Sequence, residues 1–241
     1  MATQIGTRSS GDRYELALTA RSRDIFIDER DLETIDLAPL AALPKLRKLY
    51  IRSAALAEID LGPLLGKALE RVQLVVRPGL AIDLAPLAAS PTLAELTISG
   101  GPALLDVSAL AGCSALTTFN NYDTPLAAID LAPLAHCPAL GTIWLLKTHL
   151  AALDLSPLAH LPVLRALVLY KSRLAHVELG RVPAWAALTH LHLDANPLPA
   201  LELAALAGAT QLKVLTLPAA LSGRVDLGPV AARAKLQVAY R

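Results

Sequence analysis

Aromatic residues make up only 4% of the 241 residues, and there are two cysteines, one methionine and almost no excess charge, with 22 Lys and Arg against 21 Asp and Glu. Each scarcity excludes something. A near-zero balance is unlike the basic surplus of most nucleic-acid binders. Two cysteines, Cys113 and Cys137, are too few for a disulfide scaffold, and no C-x-x-C spacing marks a structural zinc. Acids and prolines recur so often that no apolar run approaches the ~18 residues of a membrane helix. The first thirteen residues, Met1 to Asp and Arg13, are polar with no apolar signal core, so a cytoplasmic chain with no export signal is expected. In that reducing setting both thiols are expected to be free. What the sequence has instead is 54% hydrophobic residues, mostly Leu, Ala, Val and Ile. That is far too apolar for a disordered chain.

The apolar residues are periodic. An acid that opens an I-D-L-x-P-L segment recurs at Asp36, Asp60, Asp83, Asp106, Asp130, Asp154, Glu178, Glu202 and Asp226, in steps of 23 or 24. Between these anchors lies L-x-x-L-x-L. It reads Leu46-Leu49-Ile51, Leu69-Val72-Leu74, Leu93-Leu96-Ile98, Leu140-Ile143-Leu145, Leu164-Leu167-Leu169, Leu188-Leu191-Leu193 and Leu212-Leu215-Leu217. Period-two alternation predicts a short strand with one buried face in each repeat. Leu116-Phe119-Asn121 is a flawed copy with Asn at its last core position, Leu236-Val238-Tyr240 is a short final copy, and Ile25 and Ile27 fit an early degenerate one. Ten strands are expected. One repeat cannot bury its own leucines, so neighbouring repeats must stack.

This pattern resembles the leucine-rich repeat family, from about Asp24 to the C-terminus, with Leu188 to Leu198 matching the consensus through Asn196. The P-L-A segments, such as Pro133-Leu134-Ala135, are similar to bacterial internalin-like repeats of 23–24 residues. The resemblance implies an α/β, right-handed horseshoe solenoid, with a concave parallel sheet of about ten strands and short helical or 3₁₀ convex segments. It also implies a bacterial, non-catalytic protein-recognition module with no cofactor. The family's Asn or Cys after each strand is mostly replaced, by Ala54, Thr124, Thr148, Ser172 and Ala220, so the hydroxyls of Thr124, Thr148 and Ser172 are expected to supply part of the missing ladder.

The recurring acid is read as structural. Its carboxylate can accept a backbone N–H at a cap or Asx-turn, just before Pro39, Pro63, Pro86, Pro133, Pro157 and Pro229 open a helical turn. Residues 1–12 are expected to be a flexible tail, and Tyr14 to Leu18 a capping strand or hairpin, so that 1–23 precede a solenoid of 24–241. Cys113 and Cys137 lie one repeat apart in a column with Leu43, Leu161 and Trp185. They should be buried on adjacent coils, within reach of a disulfide.

The register also assigns the outward positions. Four of the five tyrosines, Tyr50, Tyr122, Tyr170 and Tyr240, fall on or beside the concave face, as does Trp144. Exposed Tyr and Trp are favoured at interfaces. The expected partner-binding residues are therefore Tyr50, Tyr122, Trp144 and Tyr170, together with His190, His192 and Asp194. These last three, H-x-H-x-D on one strand face, are also conceivable zinc ligands for a metal-dependent enzyme. The repeat offers no neighbouring fourth ligand, and no G-x-S-x-G or phosphate loop occurs. Near the N-terminus, Lys48, Arg52 and Arg71 hint at an anion patch, but Asp24 and Asp28 sit opposite them, so nucleic acid is not the expected partner. The last strand pattern runs into the final residue. Its bare edge leaves open self-association or a further domain, whereas Arg233 and Lys235 suit a last coil that tolerates water.

Overall fold

The computed structural model describes residues 2–88 and 90–241. Its fifteen strands are β1 (Ala2–Arg8), β2 (Arg13–Ala17), β3 (Asp24–Asp28), β4 (Leu32–Ile35), β5 (Lys48–Ser53), β6 (Arg71–Pro78), β7 (Glu95–Gly101), β8 (Thr118–Tyr122), β9 (Thr142–Leu146), β10 (Ala152–Asp154), β11 (Ala166–Val168), β12 (His176–Glu178), β13 (His190–His192), β14 (Val214–Leu217) and β15 (Gln237–Tyr240). Ten of them form one parallel sheet in the order β15-β14-β13-β11-β9-β8-β7-β6-β5-β3, one strand per coil. Each inward Leu, Ile or Val sits in register with its counterpart on the next coil, as in Val72–Leu96 and Leu167–Leu191. The result is a continuous ribbon of almost wholly buried aliphatic side chains. This is the solenoid that the repeat implies, and every helical segment between the strands is 3₁₀: no α-helix occurs among the described residues, the connection from 179 to 189 has only bends and turns, and β10 and β12 pair as a small parallel sheet.

Why the convex turns are tight is local. Prolines occupy the first positions of the 3₁₀ helices Ala38–Ala42, Gly62–Leu64, Ala85–Leu87, Ala132–His136, Ser156–Leu158 and Gly228–Val230. There the fixed φ suits the turn and the missing N–H has no partner to lose. In eight of the nine repeats, all but that of Glu202, the recurrent acid accepts the backbone N–H two residues on. The distances run from Asp36 Oδ1 to Ala38 N, 2.8 Å, through Asp60, Asp83, Asp106, Asp130, Asp154 and Glu178, to Asp226 and Gly228 N, 2.8 Å. This Asx-type turn answers the question of the acidic stripe, because eight of its nine carboxylates are held by their own coils. The Ser108 amide accordingly holds the Asp106 carboxyl below its usual range.

On the other side of the strands the chain turns through a left-handed residue. Asp123, Lys147, Lys171 and Ala195 occupy equivalent slots with φ between 52° and 56°. Gly100 takes that slot in β7, where a Cβ would lie 1.9 Å from the Val76 carbonyl oxygen. Only glycine fits so close an approach.

The N-terminus departs from expectation. Residues 2–8 are not a tail. They form β1, which pairs antiparallel with both β2 and β4 in a separate three-stranded sheet. Ile5, 1% exposed, is the apolar anchor of an otherwise polar strand, and Asp36 N donates to its carbonyl at 2.7 Å. The hairpin therefore lies over the first coil.

Candidate functional site on the concave face

The outward side chains form three rows across the sheet. The central row runs Phe26, Tyr50, Gln73, Thr97, Asn120, Trp144, Val168, His192, Thr216 and Ala239. At one end Phe26 stacks on Tyr50, with centroids 4.4 Å apart and planes 11° from parallel. Phe26 is 61% exposed. In the middle the face is small and polar. Thr97 and Ser99 are nearly buried, and Asn120 donates to Thr97 Oγ1 at 3.1 Å. Just past the middle, on β9, Trp144 is 43% exposed, two strands from His192 in the same row.

The seven expected contact residues therefore do not form one patch. Tyr50 stands at the N-terminal end, half-buried beneath Phe26. Tyr122 lies between, beside Ser99 and Leu146 in register. Burial pushes its phenol pKa up, against an opposing hydrogen bond with Gln73. Trp144, Tyr170, His190, His192 and Asp194 gather toward the C-terminal end. Tyr170 carries the Lys171 ammonium 5.2 Å from its ring centroid. Phe26 is an exposed ring outside the seven expected contact residues. The alternation of Asp24 to Asp28 already placed it outward, and only its stacking on Tyr50 needed the structure.

The His and Asp trio is tied up internally. Thr216 Oγ1 donates to Asp194 Oδ1 at 2.5 Å and also lies 3.0 Å from His192 Nδ1. His190 Nδ1 lies 2.8 Å from Thr189 Oγ1, and the two imidazoles stack at 6.2 Å. Asp194 is only 7% exposed. Desolvation lowers the His192 pKa, with Asp194 opposing, so its neutral form is favoured. Among the described residues no three His, Cys, Asp or Glu side chains are arranged to hold a metal ion. The arrangement offers hydrogen-bonding edges to a ligand on a surface already braced from within.

Charge at the N-terminal end is largely paired. Arg52 grips Asp28 in a fork, Nε to Oδ1 at 2.5 Å and Nη2 to Oδ2 at 2.8 Å, and Arg71 meets Glu95 at 2.7 Å. The cysteines are free and buried, with burial and then its neighbour Cys113 pushing Cys137 up to about 11. Such thiols are poor nucleophiles. Trp185, the second tryptophan, is core: its indole N–H donates to the Leu179 carbonyl at 2.9 Å.

The turn ladder is only partly as expected. Asn196 accepts from Ser172 N and Leu174 N through Oδ1 and donates to the Leu169 and Leu193 carbonyls. Ser172 Oγ donates to the Leu145 carbonyl at 2.7 Å, and Thr124 Oγ1 to Tyr122. Thr148 does not join them: its buried hydroxyl has no partner. Two residues outside the expected set do. Ser53 Oγ donates to the Leu32 carbonyl at 2.7 Å, and Arg77 reaches the Leu56 and Ala57 carbonyls.

No protein-family model matches the chain, and no curated protein matches it in sequence. Solved structures do. A leucine-rich-repeat protein of Leptospira interrogans superposes with a TM-score of 0.69 at 18% identity, covering 92% of this chain and 55% of its own. The chain thus spans about half the length of that neighbour. The leucine-rich repeat domain of the type III effector XopL superposes with a TM-score of 0.64 at 21% identity, covering 90% of this chain and 75% of its own. Repeat, register and neighbours agree: this chain is a leucine-rich-repeat solenoid.

Proposed function

We propose that the chain is a non-catalytic recognition module that binds a partner protein through its concave face. The observation that carries this is the placement of rings. In a chain with 4% aromatics, Phe26 and Trp144 stand out of a rigid sheet at 61% and 43% exposure, with Tyr50, Tyr122 and Tyr170 half-buried around them. Rigid aromatic anchors on a preformed surface lose little conformational freedom on binding. Tyr170, His190, His192 and Asp194 add polar contacts at one end. A bacterial cytoplasm is the proposed setting, on the repeat type and two free buried thiols. A catalytic role for His190, His192 and Asp194 gains no support from their geometry, since Asp194 is hydrogen-bonded to Thr216 and to neither imidazole, and among the described residues no three such side chains are arranged to hold a metal ion.

The test is a quantitative capture experiment with a crosslinked partner, comparing wild type with Trp144→Ala plus Tyr170→Ala. Affinity is expected to fall at least about tenfold, the size of a hot-spot loss. Undiminished binding by a folded double variant removes the concave face. Light scattering on the same sample separates this reading from assembly through the outer edge of β15: a monomer supports recognition, and a dimer lost on Ala239→Lys, at an outward position of that strand, supports assembly.

A further inference from the structure

Four cations converge where the chain enters the first two concave strands. Arg21 and Arg23 precede β3, Lys45 and Arg47 precede β5, and together they line a concavity of about 420 Å³ that no acidic side chain lines. Arg47 has Glu70 at 3.7 Å and donates to the Ala68 carbonyl at 2.7 Å. Among the described residues Arg21, Arg23 and Lys45 have no ion-pair partner. In a chain with net charge +1 this is a strong local imbalance. It also contrasts with the adjoining face, where Arg52 and Arg71 are each matched across a coil. Like charges on neighbouring coils repel unless something anionic lies between them.

What that anion is follows from the surroundings. The adjoining row reads Asp24, Lys48, Arg71 and Glu95 across the strands, with Arg71 paired to Glu95 and Arg47 to Glu70, so acids interrupt any cationic track along the sheet for successive phosphates of a nucleic acid. The concavity is open, and its cations are spread over two coils, which suits several separate carboxylates better than one compact anion. Three residues on from Arg23, within β3, the exposed ring of Phe26, backed by Tyr50, offers an apolar seat. We propose that this rim receives an acidic segment of the partner protein, its carboxylates on Arg21, Arg23, Lys45 and Arg47 and one apolar side chain on Phe26. The inference rests on the reading of the concave face as a protein-recognition surface. It adds the chemistry of the partner and the end at which the partner enters. Cations on the rim would steer encounter as well as hold the segment.

The experiment is fluorescence anisotropy with the whole chain and a labelled glutamate-rich peptide carrying a central leucine. Binding is expected, weakening steeply as salt rises. Arg23→Glu plus Lys45→Glu should weaken it at least about tenfold, since each exchange turns attraction into repulsion. Arg181→Glu plus Arg224→Glu, exposed and remote, should leave it unchanged. Circular dichroism confirms that each variant is folded, and Phe26→Ala should reduce binding without altering its salt dependence. The proposal is overturned if the peptide does not bind, if the rim reversal has no effect, if a single-stranded oligonucleotide binds more tightly than the peptide, or if inorganic phosphate displaces the peptide completely. The two readings fail separately. Loss of peptide binding with Trp144-dependent capture intact removes only the acidic segment. Peptide binding at the rim with capture indifferent to Trp144 and Tyr170 keeps the rim and removes the wider concave face.

Discussion

Two buried asparagines, three coils apart, meet opposite fates. Asn196 sits in the turn after β13, 5% exposed, and each of its amide atoms is used: Oδ1 takes the Ser172 and Leu174 amides, and Nδ2 gives to the Leu169, Leu193 and Asp194 carbonyls. Asn121 occupies an inward slot of β8, fully buried between Ile98 and Leu145 in register, and neither its Nδ2 nor its Oδ1 has a partner. The same side chain is a brace in one place and a burden in the other. What differs is the backbone around it. A turn leaves amides and carbonyls without partners in the ladder, and a carboxamide can satisfy both kinds at once. Inside a strand those groups are already paired, so an inward amide finds only methyl groups.

The largest effect that follows is at the brace. Asn196→Ala should leave the Ser172 and Leu174 amides and the Leu169 carbonyl buried without partners. Each orphaned group costs about 1–3 kcal/mol, and water entry relieves some of it, so about 3 kcal/mol of stability should be lost. Urea unfolding measures this. Because stability in such an array is shared between neighbouring coils, protection of backbone amides in β11 and β13 should fall before that in β5 and β6. A loss under 1 kcal/mol would mean that the turn satisfies itself without the amide, and the contrast with Asn121 would collapse.

The burden should yield the opposite sign. Asn121→Leu restores the aliphatic column of Ile98 and Leu145 with a side chain of the same branching and larger volume, and removes two unpartnered polar atoms. A gain of about 1–2 kcal/mol is expected. If Asn121→Leu and the smaller Asn121→Val both destabilise, overpacking is excluded and Asn121 is satisfied by ordered water in the core, which makes β8 a wet strand with a reason for its polarity.

These contrasts show where the sequence is legible. The coils could be read because the same apolar pattern recurs in each, and period two fixes which side chains point out. Tyr50, Trp144 and His192 therefore fell on the concave face as expected. The convex Asx-turns could be read too, since acid and proline recur at fixed offsets. β1 could not. Its ATQIGTR sequence carries a single buried anchor, Ile5, and its pairing is made by backbone groups that any residue supplies. Thr216 holding Asp194, the Phe26 stack and the unpaired rim cations were equally hidden. Each depends on what an adjacent coil aims at the residue. A residue-by-residue pattern records the slot, not the neighbour.

Thr148 gives the smallest and most exacting version of the comparison. It occupies the Asn196 slot two coils earlier and is 1% exposed, yet its hydroxyl has no partner. Ser172, one coil on, donates in the same slot to the Leu145 carbonyl. Thr148→Val keeps the β-branched shape and deletes only the hydroxyl. With no hydrogen bond to break, the change should raise stability by about 0.5–1 kcal/mol, whereas Ser172→Ala should lower it by a similar amount. Matched urea curves decide it. If Thr148→Val is the damaging one, the turn position itself supplies partners to whatever polar group occupies it. The difference between Asn196 and Asn121 would then belong to the slot and not to the bonds counted in it.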